Sequence, residues 1–181
     1  MEDTDDDGVM DKKTVFLDEL VLPRAIELVN GGLLYAEPPN LWWVPIENDQ
    51  PGKRQLVDSL YSVGGNVEHA PNGLLYNIDN WIYSAKSDRR YRYKDGKWEM
   101  TPTHSRGQWG ISNDDAGRLY YNNNSNPIFG DFVLSNQVNA NPFLDSKNIE
   151  KQNLSVSRRF YPAHPTPVSY THLTLPTICS V

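Results

Sequence analysis

Apolar positions along this chain come in short runs, broken every few residues by Gly, Pro, Asn and Asp, and no stretch sustains a helical period. Such punctuation predicts many short strands joined by turns, and therefore an all-β protein. The clearest local signal lies where Tyr91-Arg92-Tyr93-Lys94 and Lys97-Trp98-Glu99-Met100 flank Asp95-Gly96. Alternating side chains on either side of an Asp-Gly pair predict a tight hairpin, because glycine tolerates the positive φ that the turn demands.

Three segments read as versions of one unit. The first runs from Leu22-Pro23-Arg24-Ala25-Ile26 through Gly31-Gly32-Leu33-Leu34-Tyr35 to Leu41-Trp42-Trp43-Val44. The second runs from His69-Ala70-Pro71-Asn72-Gly73-Leu74 through Asp79-Asn80-Trp81-Ile82-Tyr83 to Arg90-Tyr91-Arg92-Tyr93. The third runs from Arg106-Gly107-Gln108-Trp109-Gly110-Ile111 through Gly117-Arg118-Leu119-Tyr120 to Asp131-Phe132-Val133-Leu134. With the Tyr of the middle strand as marker, Tyr35 to Tyr83 spans 48 residues and Tyr83 to Tyr120 spans 37. Imperfect repeats of that size, each holding about four strands, are the signature of propeller blades. The expectation is a partial β-propeller, about three blades of a six-bladed ring, truncated. A β-sandwich is the alternative, since spaced hairpins serve either fold.

Composition narrows the function classes. The chain has 181 residues, a net charge of -6, ten Tyr, five Trp and one Cys. No run approaches the roughly 20 apolar residues of a membrane span. The acidic balance argues against a nucleic-acid partner, which needs a basic footprint. No signal peptide opens the chain, because Met1 is followed by Glu2, Asp3, Asp5, Asp6 and Asp7. Either the protein is cytoplasmic or its true start is missing.

The last residues carry a different signal. Val168-Ser169-Tyr170-Thr171-His172-Leu173-Thr174-Leu175-Pro176-Thr177 resembles the translation of a transposase-based sequencing adaptor, codon by codon, and Ile178 through Val181 fits the bases and stop that follow it. We therefore expect residues 1–166 to be the partial propeller and 167–181 to be adaptor-derived, with an ordinary Thr/Pro-rich tail as the alternative. On that reading Cys179 and His172 carry no chemistry, and the natural protein continues past Thr166.

Three places suggest chemistry. Asp3, Asp5, Asp7, Gly8 and Asp11 form D-x-D-x-D-G-x-x-D. Alternate carboxylates in a tight loop can surround Ca2+, with the Val9 carbonyl as a backbone ligand. Thr14 stands where an EF-hand has its bidentate Glu, so the expected site is a calcium loop but not an EF-hand. A merely solvated acidic loop is the alternative.

The second place is His69, at the start of the second unit, where an imidazole can take a hydroxyl proton near neutral pH. Arg106 opens the third unit with Gln108, and a guanidinium there can pair with an acidic cofactor. The third place joins the amides Asn72, Gln108, Asn122 and Asn123, which can hold sugar hydroxyls or a polar cofactor rim. The plainer alternatives are a structural His69 and an Asn run that serves turns. Arg89 and Arg90 read as surface or inter-blade charges, Trp42, Trp43 and Trp81 as core, and His104 is unassigned.

The stretches Glu68-His69-Ala70-Pro71-Asn72-Gly73-Leu74, Asp79-Asn80-Trp81-Ile82-Tyr83, Ser87-Asp88-Arg89-Arg90-Tyr91 and Arg106-Gly107-Gln108-Trp109-Gly110 resemble bacterial membrane-bound dehydrogenases, also described as haem-binding C-x-x-C-H proteins. The resemblance covers roughly Glu2 to Thr166. It implies a large extracytoplasmic (periplasmic or secreted) protein whose N-terminal propeller is similar to soluble pyrroloquinoline-quinone (PQQ) sugar dehydrogenases. It further implies a sugar or alcohol substrate, PQQ as cofactor and a c-type cytochrome as electron acceptor. Within it, His69 matches the general base and Arg106, more loosely, a residue that contacts cofactor and substrate. No C-x-x-C-H occurs in these residues, so haem c is expected only outside them. A non-catalytic propeller that binds polysaccharide or a protein partner is the alternative.

Overall fold

The computed structural model describes residues 1–141, 143–144 and 149–155. The adaptor-like tail lies outside the described residues.

The fold is all-β, built from three antiparallel sheets that follow one another along the chain. Sheet I holds β1 (Ala25–Val29), β2 (Gly32–Glu37) and β3 (Asn40–Glu47), and its outer edge is divided between β4 (Gln50–Pro51) and β5 (Gln55–Asp58). A 3-10 turn at Val67–His69 leads into sheet II, made of β6 (Asn72–Tyr76), β7 (Ile82–Ala85), β8 (Arg89–Lys94) and β9 (Lys97–Pro102). Sheet III holds β10 (Ser112–Asn113), β11 (Leu119–Asn123), β12 (Asn126–Gly130) and β13 (Gln152–Asn153), with the short helix α1 (Ser135–Asn139) between the last two strands. Among the described residues the three sheets do not close into a ring.

Local chemistry explains the hairpins. The expected Asp95-Gly96 turn joins β8 to β9, with φ of 51° and 79°. Asn30-Gly31 joins β1 to β2 in the same way, with φ of 53° and 69°. Two consecutive positive φ values match the twist of the flanking strands, and Asn, Asp and Gly adopt them at least cost.

Side-chain alternation gives each sheet two faces. Leu34, Ala36 and Leu41 of sheet I pack against Leu74, Ile82 and Tyr91 of sheet II. On the other face of sheet II, Trp81 and Tyr83 pack against Leu119, Tyr121 and Phe129 of sheet III. The tyrosine marker of the repeat therefore slips by one position in the first unit. Leu34, and not Tyr35, shares the orientation of Tyr83 toward the following sheet. A one-residue slip in strand register reverses the face a side chain occupies. Trp81 is buried as expected, while Trp43 is half-buried against Tyr93 and Trp98. The face of sheet I turned away from sheet II keeps Ile26, Leu28 and Leu56 exposed.

Candidate functional site

The acidic loop closes on itself. Glu2 bridges Lys12 in antiparallel fashion, and Thr4 donates from its N–H and its hydroxyl to the Asp11 carboxylate, the latter at 2.7 Å. Asp3 accepts from the Asp6 and Gly8 N–H groups at 2.7 and 2.8 Å. The Gly8 bond, ahead of weak opposing burial, holds the Asp3 carboxyl below the usual aspartate value. Oxygens of Asp3, Asp5 and Asp11 gather within 4.8 Å of one another. Asp7 stands apart from that trio and accepts instead from the Val9 N–H at 2.8 Å. Three hard oxygen donors in a Gly-bearing loop suit Ca2+, since each carboxylate retains lone pairs after taking its N–H bonds.

His69 closes the 3-10 turn Val67–His69, which Asn66 caps by accepting from the Glu68 N–H. The ring is exposed and has no hydrogen-bond partner among the described residues. Its chain neighbours Val67 and Ala70 border a cavity of about 260 Å3 that also takes in Leu22 and Arg24. The imidazole is thus free to meet a ligand at the approach to β6.

Arg106 is placed otherwise. Only 3% of it is exposed, and its Nε donates to Asp131 at 2.6 Å. Its other donors reach Glu150, Ser135, Thr103 and the His104 carbonyl. Every direction of the guanidinium fork is spent on internal partners, so Arg106 has no donor left over for a ligand in this arrangement. His104, unassigned from sequence, pairs with the far oxygen of Glu150.

The four amides divide similarly. Asn72 donates to the carbonyls of Ala70 and Gln108 and accepts from the Gly110 N–H at 2.8 Å, which rivets sheet II to the segment opening sheet III. Gly73 makes that approach possible: a Cβ there would lie 2.8 Å from the Gly110 Cα. The Gln108 side chain accepts from the Asn124 N–H, and Asn123 accepts from Ser125 and Asn126 in turn chemistry. Asn122 alone is exposed, in a cavity of about 310 Å3 with Trp109, Tyr120 and Ile128.

One residue absent from the sequence-based set stands out. Arg24, just before β1, borders both the cavity near His69 and a second one of about 330 Å3 shared with Asn72 and Trp109. Its position in the first unit corresponds to His69–Asn72 and Arg106–Gln108 in the others, and that equivalence was the signal available from sequence. Nearby, burial pushes the Tyr61 phenol up to about 12, partly offset by its hydrogen bond to Ser84 and by the charge of Arg24.

Fold and site together define an all-β protein of three consecutive antiparallel sheets, with polar groups gathered where the first strand of each sheet begins. The chain belongs to the family described as Domain of unknown function (DUF7133), whose model matches residues 1–177. No curated protein and no solved structure matches it. Among the described residues, no helix is long and apolar enough to cross a membrane.

Proposed function

We propose that the three sheets are blades of a β-propeller belonging to an extracytoplasmic sugar or alcohol dehydrogenase of quinoprotein type, with His69 as general base. The observation that carries this reading is the free, exposed imidazole at the approach to β6, next in the chain to Ala70, which with Arg24 borders a cavity. An unpartnered imidazole can accept the proton of a substrate hydroxyl near neutral pH. PQQ, when bound, supplies a two-electron acceptor, and a c-type cytochrome receives the electrons afterwards.

The donor set fits PQQ only in part. PQQ bears three carboxylates, and Asn122 borders one cavity without a cation and a second, of about 250 Å3, that takes in Gln108, Asn123, Lys86 and Lys151. Arg24 adds a further positive charge at the cavities near β1. Ca2+ is proposed at Asp3, Asp5 and Asp11, where it would hold the loop closed.

The test is dye reduction by the full-length gene product with PQQ, across a panel of aldoses and primary alcohols, with calcium or with chelator. Turnover that His69→Ala lowers at least about a hundredfold is expected of a general base. Unchanged turnover in that variant, or none in the parent protein, would sink the reading. A melting temperature indifferent to calcium would remove the metal site. The non-catalytic alternative finds support in the exposed Trp109 beside Asn122, an aromatic and amide pairing suited to polysaccharide, and saturable glycan binding without turnover would favour it.

A further inference from the structure

Every other arginine among the described residues has a match. Arg54 lies over the Trp42 ring, Arg90 over Trp81, and Arg89, Arg92, Arg106 and Arg118 pair with Asp58, Glu99, Asp131 and Asp114. Arg24 has no carboxylate partner among the described residues, and its Nε is buried without an acceptor. Two acids of sheet I are engaged elsewhere: Glu37 by the Val21 N–H at 2.9 Å and by Arg54 at 3.6 Å, and Glu27 by the Tyr76 N–H at 3.2 Å.

The buried Nε is closed to a ligand in the cavity, but the two terminal nitrogens of the guanidinium are not buried and have no partner among the described residues. The backbone around Arg24 is tied in place. Its N–H donates to the Ala36 carbonyl at 3.0 Å, which ties the residue to the edge of β2. Two positions earlier, Leu22 holds φ of 51°, a left-handed conformation that a bulky side chain rarely adopts. Strain of that kind persists where surrounding structure imposes it and is concentrated at ligand sites.

The cavity itself limits the ligand. Leu22, Pro23, Arg24, Asn72 and Trp109 line about 330 Å3. Asn72 has both amide hydrogens committed elsewhere, so the side-chain donors that remain are the Arg24 fork and the Trp109 indole N–H, and of these only the fork is charged. A planar fork of N–H groups matches a carboxylate in two-point fashion. Trp109, 44% exposed, offers a flat face to a ring.

We propose that Arg24 anchors the carboxylate of a small, flat, unsaturated acid whose ring lies against Trp109. The inference rests on the reading that ligands meet the protein where the first strand of each sheet begins, but it requires no turnover and no quinone.

The probe is benzoate, titrated into the full chain by calorimetry and by tryptophan fluorescence, with benzamide as the uncharged control. Saturable benzoate binding and none by benzamide are expected. Arg24→Gln should weaken benzoate at least about tenfold, and Arg24→Lys, which keeps the charge without the fork, should weaken it by a smaller factor. Trp109→Leu should also weaken it, while His69→Ala should leave it unchanged. Far-UV circular dichroism checks that each variant retains the parent fold. Equal affinity in folded Arg24→Gln or Arg24→Lys, equal binding of benzamide, or no saturable binding to the parent chain overturns the proposal. Because His69→Ala is silent here and decisive for turnover, failure of this site and failure of the dehydrogenase reading are told apart.

Discussion

The two inter-sheet boundaries join similar sheets by different means. Between sheets I and II the contact is dominated by Leu34, Leu41, Ile82 and Tyr91, each buried completely. Between sheets II and III an aromatic cluster is flanked by Arg106, Asp131 and Glu150, three charges with side chains 5% exposed or less. Tyr121 donates to Asp131 at 2.7 Å, and burial, first, with that carboxylate behind it, pushes the phenol far up. The first boundary draws its strength from apolar area, which tolerates small errors of geometry. The second needs each ionic group in place, since a buried charge without its partner is heavily penalised. One boundary therefore supplies adhesion and the other a single permitted alignment.

Breaking the ionic boundary should have the largest effect. Arg106→Met leaves Asp131 buried without a counter-charge and Glu150 with only His104 beside it, and urea unfolding should show a loss of about 3–5 kcal/mol. Replacing all three charges with apolar residues of similar volume should restore most of that loss, because the desolvation penalty disappears with the charges. A triple variant as unstable as the single one would refute this view of the boundary.

Cutting into the apolar boundary should cost somewhat less. Ile82→Ala removes a fully buried side chain between Leu34 and Tyr91, and about 3 kcal/mol is the expected loss by the same measurement. A loss below about 1 kcal/mol would mean that the two sheets collapse around the cavity.

The smallest effect is a pH dependence at the rim of that apolar boundary. Asp58 sits there, where Arg89 donates to it at 2.7 Å and Tyr91 at 2.8 Å. Burial alone would raise its carboxyl, but the bonds from Arg89, the Leu60 N–H and Tyr91 outweigh burial and lower it below the ordinary value. Since the folded form holds its proton less tightly than the unfolded form, this contribution is present above the unfolded value, near 3.8. It fades as pH falls through the lowered folded value. Asp58→Asn should flatten the acid limb of a melting-temperature profile in that window, and an unaltered limb would count against the assignment.

Strand order and hairpins were largely legible in the sequence, because they depend on neighbours. Asp95-Gly96 set its own turn, and the three repeated units correspond to the three sheets. The faces were less legible. Tyr35 and Tyr83 look equivalent in a row of letters, yet they point to opposite sides because one residue of register separates them. The fate of Arg106 was illegible for a related reason: its acids lie 25 and 44 residues downstream. No local pattern distinguishes an arginine awaiting a ligand from one that will be buried against distant carboxylates. Arg24 was overlooked for the converse reason, since its significance lies in what fails to pair with it.

Asn72 also bears on how the molecule ages. Asn-Gly is the dipeptide most prone to spontaneous deamidation, and the chain has it at Asn30-Gly31 and at Asn72-Gly73. The first sits exposed at a hairpin tip, where the succinimide can form and the turn absorbs the extra charge. The second has its amide pinned at both ends, so ring closure must first tear the rivet out. Were it to happen, a new anion would face two carbonyl oxygens across a sheet boundary. Shelf life should thus be read first at Asn30 and lost last at Asn72.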